Sequence, residues 1–297
     1  MERIVYANNL TKKYKYNYAL KDFNITINKG DIYGLIGVNG AGKSTLIKII
    51  AGITEQTSGE LSLFDNQYGI MVARSKIGAI IENPSFYPNL SATENLMYYA
   101  TVLGIKDTKI VKELLIKVKL DPASKQPFKQ FSLGMKQRLG IAFALLNNPE
   151  FIILDEPTNG LDPVGILELR DVIATLNQQG VTFLICSHIL SELSQIATKY
   201  GIVHKGKFIK EFTNNDINQL TQDTVEVKAV DTNIVKAFLD EMNYEYNIKD
   251  DIFIITIQNI NEFMKHLVEN EVSIISITQN KTSLEDIFLS SIKEATV

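Results

Sequence analysis

Over roughly the first 210 positions, short apolar runs alternate with longer stretches in which apolar residues recur every three or four positions. The runs Ile4 to Tyr6, Asp31 to Ile36, Ile77 to Ile81, Phe151 to Leu154, Thr182 to Cys186 and Tyr200 to Val203 read as strands. Helical spacing covers Thr45 to Ala51, Ala92 to Leu103, Lys109 to Val118, Leu133 to Leu146 and Pro163 to Gln178. Such alternation predicts an α/β domain, with Gly201 to Ile209 as a closing hairpin. The pattern then changes. No Gly follows Gly206 and no Pro follows Pro163, so the tail lacks the usual punctuating residues. Its strand-like runs (Val225 to Val230, Ile252 to Ile257, Ser273 to Thr278) flank helical patterns at Ile234 to Met242 and Ile260 to Asn270. An amphipathic helix from Ser283 to Lys293 closes the chain. We expect a small α+β domain of βαββαβ type over residues 220–297, following a larger domain over 1–219.

Composition narrows the class without changing this layout. The 297 residues are 45% hydrophobic and 22% charged, an ordinary globular balance. No window approaches the ~18–20 continuous apolar residues that span a bilayer. Met1 to Tyr6 lacks the apolar core of a secretory signal, so a cytoplasmic location is expected. Cys186, the single cysteine, lies in an apolar run and reads as a buried bystander. Charge is uneven: from Leu220 onward six Lys, no Arg and fourteen Asp or Glu give −8, against +4 before it. An acidic tail argues against broad nucleic-acid or anionic-lipid binding there.

The chemistry concentrates first in Gly37-Val38-Asn39-Gly40-Ala41-Gly42-Lys43-Ser44-Thr45, which fits G-x-x-x-x-G-K-[ST] between a strand and a helix. Glycines let successive N–H groups turn toward phosphate oxygens, and the helix start presents its positive end to the same anion. Lys43 can reach the terminal phosphates, and the Ser44 hydroxyl can ligate Mg²⁺. A nucleoside triphosphate is the expected ligand. A second cluster follows in Phe151 to Glu156, an apolar strand ending in two carboxylates. Asp155 can stand beside the Mg²⁺ and Glu156 can polarise an attacking water. His188, just past the run ending at Cys186, could hydrogen-bond a γ-phosphate and that water.

Together these segments closely resemble the ATP-binding cassette (ABC) superfamily over about residues 1–220. Phe131-Ser132-Leu133-Gly134-Met135-Lys136-Gln137 is similar to the family signature LSGGQ, with Leu133 and Met135 departing from Gly and Gln. The resemblance implies an α/β ABC-type nucleotide-binding domain with P-loop core, antiparallel β subdomain and helical subdomain. It also implies that Ser132 and Gly134 contact ATP held by a second such domain, so that two ATP molecules are sandwiched head-to-tail. Tyr14 matches the adenine-stacking aromatic, with Tyr16 and Tyr18 as rivals, and Asp162 matches the loop that couples the two ATP sites. Glu82 stands where the family normally has Gln. Either side chain can place an oxygen on Mg²⁺, but Glu adds a charge and loses the amide donor.

Glu82 followed by Phe86-Tyr87-Pro88-Asn89-Leu90 resembles the ATPases of bacitracin and lantibiotic self-protection exporters, with phenol-soluble modulin exporters nearby. The implied function is the ATP-hydrolysing subunit of an exporter of amphipathic or antimicrobial-type peptides. It would sit on the cytoplasmic face of the membrane against a separate permease subunit. Phe86, Tyr87, Tyr98 and Tyr99 would offer aromatic anchors to that permease. Two other readings compete. A soluble ABC ATPase acting on ribosomes or DNA conflicts with the single phosphate loop, and no long coiled coil separates Lys43 from Asp155. A silent nucleotide-sensing subunit conflicts with the presence of both Glu156 and His188.

Overall fold

The computed structural model describes residues 2–81, 85–220, 223–249, 252–257, 259–270, 272–281 and 284–294. Its backbone divides into two units, Met1–Glu211 and Phe212–Val297. The first runs β1 (Arg3–Tyr14), β2 (Asn17–Asn28), β3 (Ile32–Ile36), α1 (Lys43–Ile50), β4 (Ser58–Leu63), α2 (Ile70–Ser75) and β5 (Ile77–Ile80). It continues with α3 (Ala92–Val102), α4 (Lys109–Lys117), α5 (Leu133–Ala144), β6 (Phe151–Asp155), α6 (Pro163–Gln178), β7 (Thr182–Ser187), α7 (Leu190–Leu193), β8 (Lys199–His204) and β9 (Lys207–Thr213).

Two sheets result. One is antiparallel, β2-β1-β4, and the other has the order β5-β6-β7-β3-β8-β9, parallel from β5 through β8. Strands buried on both faces suit this second sheet, and β3 and β7 are buried at every position. Helix α1 turns Leu46, Ile47, Ile49 and Ile50 inward, and these join Phe23 and Ile27 of one sheet to Leu35, Ile153 and Leu184 of the other in one core. That burial fixes the start of α1 at the end of β3.

Helices α3, α4 and α5 pack together, and α5 also packs on α6. A capping box opens α3: Ser91 Oγ accepts from Glu94 N, and the Glu94 carboxylate accepts from Ser91 N. Asn95, fully buried, accepts from Tyr87 N at 2.8 Å and donates to the carbonyls of Tyr87, Leu90 and Ser91. It thereby pins the segment preceding α3.

The second unit contains α8 (Asn214–Leu220), β10 (Asp223–Ala229), α9 (Thr232–Glu241), β11 (Tyr246–Lys249), β12 (Ile252–Ile257), α10 (Ile260–Glu269), β13 (Ile274–Lys281) and α11 (Leu284–Glu294). Its sheet order is β11-β12-β10-β13. Val225, Val227, Phe253 and Ile255 form a separate core with Phe238 and Leu239 of α9 and Phe263 and Leu267 of α10. The division at Glu211/Phe212 precedes the expected 219/220 boundary, because α8 lies in the second unit. Its sequence NNDINQL has too few apolar positions to mark a helix.

Candidate functional site

Parallel pairing sets three strand ends side by side. Ile36 of β3 faces Ser187 of β7, and Asp155 of β6 faces Cys186. The carboxyl edge of such a sheet is where α/β domains bind ligands. Residues 37–42 emerge there as a tight loop leading into α1. A Cβ on Gly37 would lie 2.6 Å from the Val203 carbonyl oxygen, and one on Gly42 2.7 Å from that of Ala19. Gly42 also takes φ +114°, so side chains are excluded there on two grounds. As the N-cap of α1 it brings no capping side chain, and the first-turn N–H groups remain donors for an anion. The resulting cavity, about 200 Å³, is lined by Asn39, Gly40, Gly42, Lys43, Ser44 and Thr45, with Asp155 and Glu156 opposite.

At it the polar side chains form two groups, Lys43 with Glu156 and His188, and Ser44 with Asp155. Lys43, only 6% exposed, donates from Nζ to the Gly37 carbonyl at 2.5 Å and lies 3.5 Å from Glu156 Oε1. Glu156 Oε2 is 2.8 Å from His188 Nδ1 and also accepts from the His188 backbone N–H at 3.4 Å. A carboxylate can only accept, so Nδ1 carries the proton in this contact and Nε2 is left as an acceptor in the neutral ring. Ser44 Oγ donates to Asp155 Oδ2 at 3.2 Å. Burial pushes the Asp155 carboxyl above the usual aspartate value. The Ser44 hydroxyl opposes this shift, and the neighbouring Glu156 charge adds to it. Glu156 itself takes φ +49°, a left-handed conformation uncommon outside glycine, with its N–H on the Cys186 carbonyl at 2.9 Å. The buried Cys186 thiol is raised well above its usual value, first by burial, and is no nucleophile.

Other expected residues lie elsewhere. Ser132 caps α5 by accepting from Met135 N at 3.2 Å, and Asp162 caps α6 by accepting from Gly165 N at 2.9 Å. Gly134 stands between them: a Cβ there would meet nothing nearer than Gly165 Cα at 3.6 Å, so packing within the chain does not demand glycine. None of the three lines the phosphate-loop cavity. Nor does Tyr14, which is half-exposed at the β1–β2 turn with the Lys12 ammonium 4.9 Å from its ring centre. Tyr16 and Tyr18 are exposed too. Glu82 lies outside the described residues. The expected aromatic surface divides. Tyr87 and Tyr98 are exposed and meet edge to face at 4.7 Å, whereas Phe86 is buried against Phe128, Phe143 and Tyr99. Phe86 is therefore a core residue, not a surface anchor. Sequence reasoning missed Ala19 and the β8–β9 turn, where Gly206 N donates to Ala41 O at 2.8 Å and braces the loop from behind. No local pattern signals a contact between such distant backbone segments.

A phosphate loop at the tip of a central parallel strand, with paired carboxylates and a histidine at the neighbouring strand ends, defines a P-loop nucleotide hydrolase. The ABC transporter family model matches residues 20–159. The bacitracin transport ATP-binding protein BcrA of Bacillus licheniformis is 38% identical over the whole of both chains. The lantibiotic transport ATP-binding protein SrtF of Streptococcus pyogenes is 49% identical over 68% of this chain and 88% of its own. Among solved structures, cbiO1 of Clostridium perfringens, part of the transporter complex cbiONQ, aligns with TM-score 0.66 and 26% identity over 74% of this chain and 92% of its own. The cassette MJ0796, a dimer in a post-hydrolysis state with ADP and Pi, aligns with TM-score 0.60 and 27% identity, covering 70% and 98%. The chain belongs to the ABC transporter family and is its ATP-hydrolysing component.

Proposed function

We propose that this chain powers the export of amphipathic, antimicrobial-type peptides through a separate membrane-spanning permease, from the cytoplasmic face of the membrane. The observation that carries the hydrolytic part is the Lys43–Glu156–His188 network beside the Ser44–Asp155 pair. The cargo class is supported by the names of the bacitracin and lantibiotic transport relatives. Among the described residues no helix is long and apolar enough to cross a membrane.

In this reading the N–H groups of residues 39–45 hold the β- and γ-phosphates of ATP, and Lys43 turns from the Gly37 carbonyl to the γ-phosphate. The site fits Mg²⁺: the Ser44 hydroxyl and a carboxylate whose burial disfavours its bare charge lie 3.2 Å apart. The described residues contain no cluster of three acidic, His or Cys side chains that could cage a metal, so phosphate oxygens and water would complete the shell. When bound, Mg²⁺ offsets charge on the phosphates. Glu82 is proposed as a further oxygen donor and as the link to the permease. Glu156 orients and deprotonates the attacking water, and His188 fixes the Glu156 carboxylate through Nδ1 and reaches the γ-phosphate side through Nε2. Ser132 and Gly134 act on ATP held by a second protomer, and Asp162 lies between the two sites; Tyr14 stacks on adenine.

Co-purification with a membrane-spanning permease, followed by phosphate-release measurements, tests the function. Stimulation of turnover by a cyclic or lantibiotic-type peptide is expected. No response to peptides, or stimulation by RNA or DNA instead, contradicts it.

A further inference from the structure

Arg138 is buried at 7% exposure, and among the described residues its hydrogen-bond and ion-pair partners lie outside the nucleotide site. It projects from α5, whose N-terminus carries Ser132 and Gly134. Its Nη1 donates to the carbonyls of Lys119 (2.6 Å) and Val118 (3.4 Å), where α4 ends. Its Nη2 lies 3.0 Å from Glu168 Oε2 on α6, the helix that Asp162 caps. One planar cation therefore joins three helices. A second tie runs parallel: Lys119 Nζ meets Asp171 of α6 at 2.9 Å.

The carbonyls at the end of α4 lack partners along their own helix, and a cation there is favoured by the helix dipole as well. Helices α5 and α6 meet with Gly134 beside Gly165, so any rotation of one against the other would shift Ser132, Gly134 and Asp162 together. A guanidinium serves both neighbours through fixed, divergent N–H groups. A lysine ammonium is a single point that cannot hold both geometries. Among the described residues the buried Arg138 Nε meets no hydrogen-bond acceptor, so the side chain accepts an unfavourable position to make its two outward contacts.

We infer that Arg138 is a positioning residue that sets the α5 and α6 N-termini as one rigid face toward the ATP of a partner protomer. The inference rests on the proposed contact of Ser132 and Gly134 with that ATP. It leaves the phosphate loop's own grip on nucleotide unaffected.

The test uses the full chain in a Glu156→Gln background, following ATP-driven dimerisation by light scattering and nucleotide binding to dilute chain by a fluorescent ATP analogue. Arg138→Lys should weaken dimerisation at least tenfold while nucleotide affinity of the dilute chain stays within about twofold and its melting temperature is only modestly lowered. Glu168→Gln, which removes one arm only, should give a smaller loss in the same direction. Unaltered dimerisation in Arg138→Lys overturns the inference, as does a parallel loss of nucleotide affinity, melting temperature and dimerisation, which would mark a purely structural arginine. Ser132→Arg is the control arm: if it too leaves dimerisation intact, the partner-contact reading has failed, not the role of Arg138 within it.

Discussion

Glu156 is constrained from every side: its backbone is left-handed, its N–H is held by Cys186, and its two oxygens face Lys43 and His188. Such a residue is positioned rather than free to relax, which suits the general base proposed above. Glu156→Gln keeps the shape and removes the basic oxygen. Phosphate release should fall by about 10²–10⁴-fold while ATP binding persists; turnover near the wild-type rate would remove the assignment. Asp155 makes a second prediction. Its pKa is raised by burial, so the ionised side chain disfavours the folded state at neutral pH, and that penalty disappears as pH falls through the raised value. Asp155→Asn should raise the melting temperature of the nucleotide-free chain at pH 7, with the gain shrinking toward acid pH. The Mg²⁺-dependent part of stabilisation by ATP should vanish in the same variant. A thermal-shift series in pH, with and without Mg²⁺ and ATP, measures both.

At the scale of elements, Asn95 joins the start of α3 to the segment after Glu82. Asn95→Ala would take the acceptor from the Tyr87 N–H, while the carbonyls of Tyr87, Leu90 and Ser91 keep backbone donors, and a loss of roughly 1–3 kcal/mol in denaturant unfolding is expected from the orphaned N–H and the lost side-chain bonds. An unchanged midpoint would show that water replaces the side chain. The contrast between elements also explains what the sequence could reveal. β3, β6 and β7 are continuous apolar runs because both their faces are covered, and α6 announces itself by Asp162 and Pro163. The β1–β2 hairpin breaks register several times, so its alternation is scrambled and only Ile4 to Tyr6 stood out. β2, β4 and the exposed β11 carried too little pattern to be found. The phosphate-loop network was legible because its parts follow strands that end at one sheet edge. Ala19 and Gly206 were not, since they act through backbone atoms brought together only by the fold.

Across the whole molecule, the two units have separate cores, and the phosphate-loop network lies in the first. That unit holds two groups of site residues: the phosphate-loop network, and the capped starts of α5 and α6 that stay outside its cavity. In the proposed reading a complete site needs two copies, each lending what the other lacks, as in the dimeric cassette that the chain resembles. Mixing Glu156→Gln chain with Ser132→Arg chain tests this most directly. One of the two sites in a mixed dimer then combines an intact Glu156 with an intact Ser132. The account predicts phosphate release by the mixture well above the sum of the two variants measured alone. A mixture no more active than that sum would contradict the shared site.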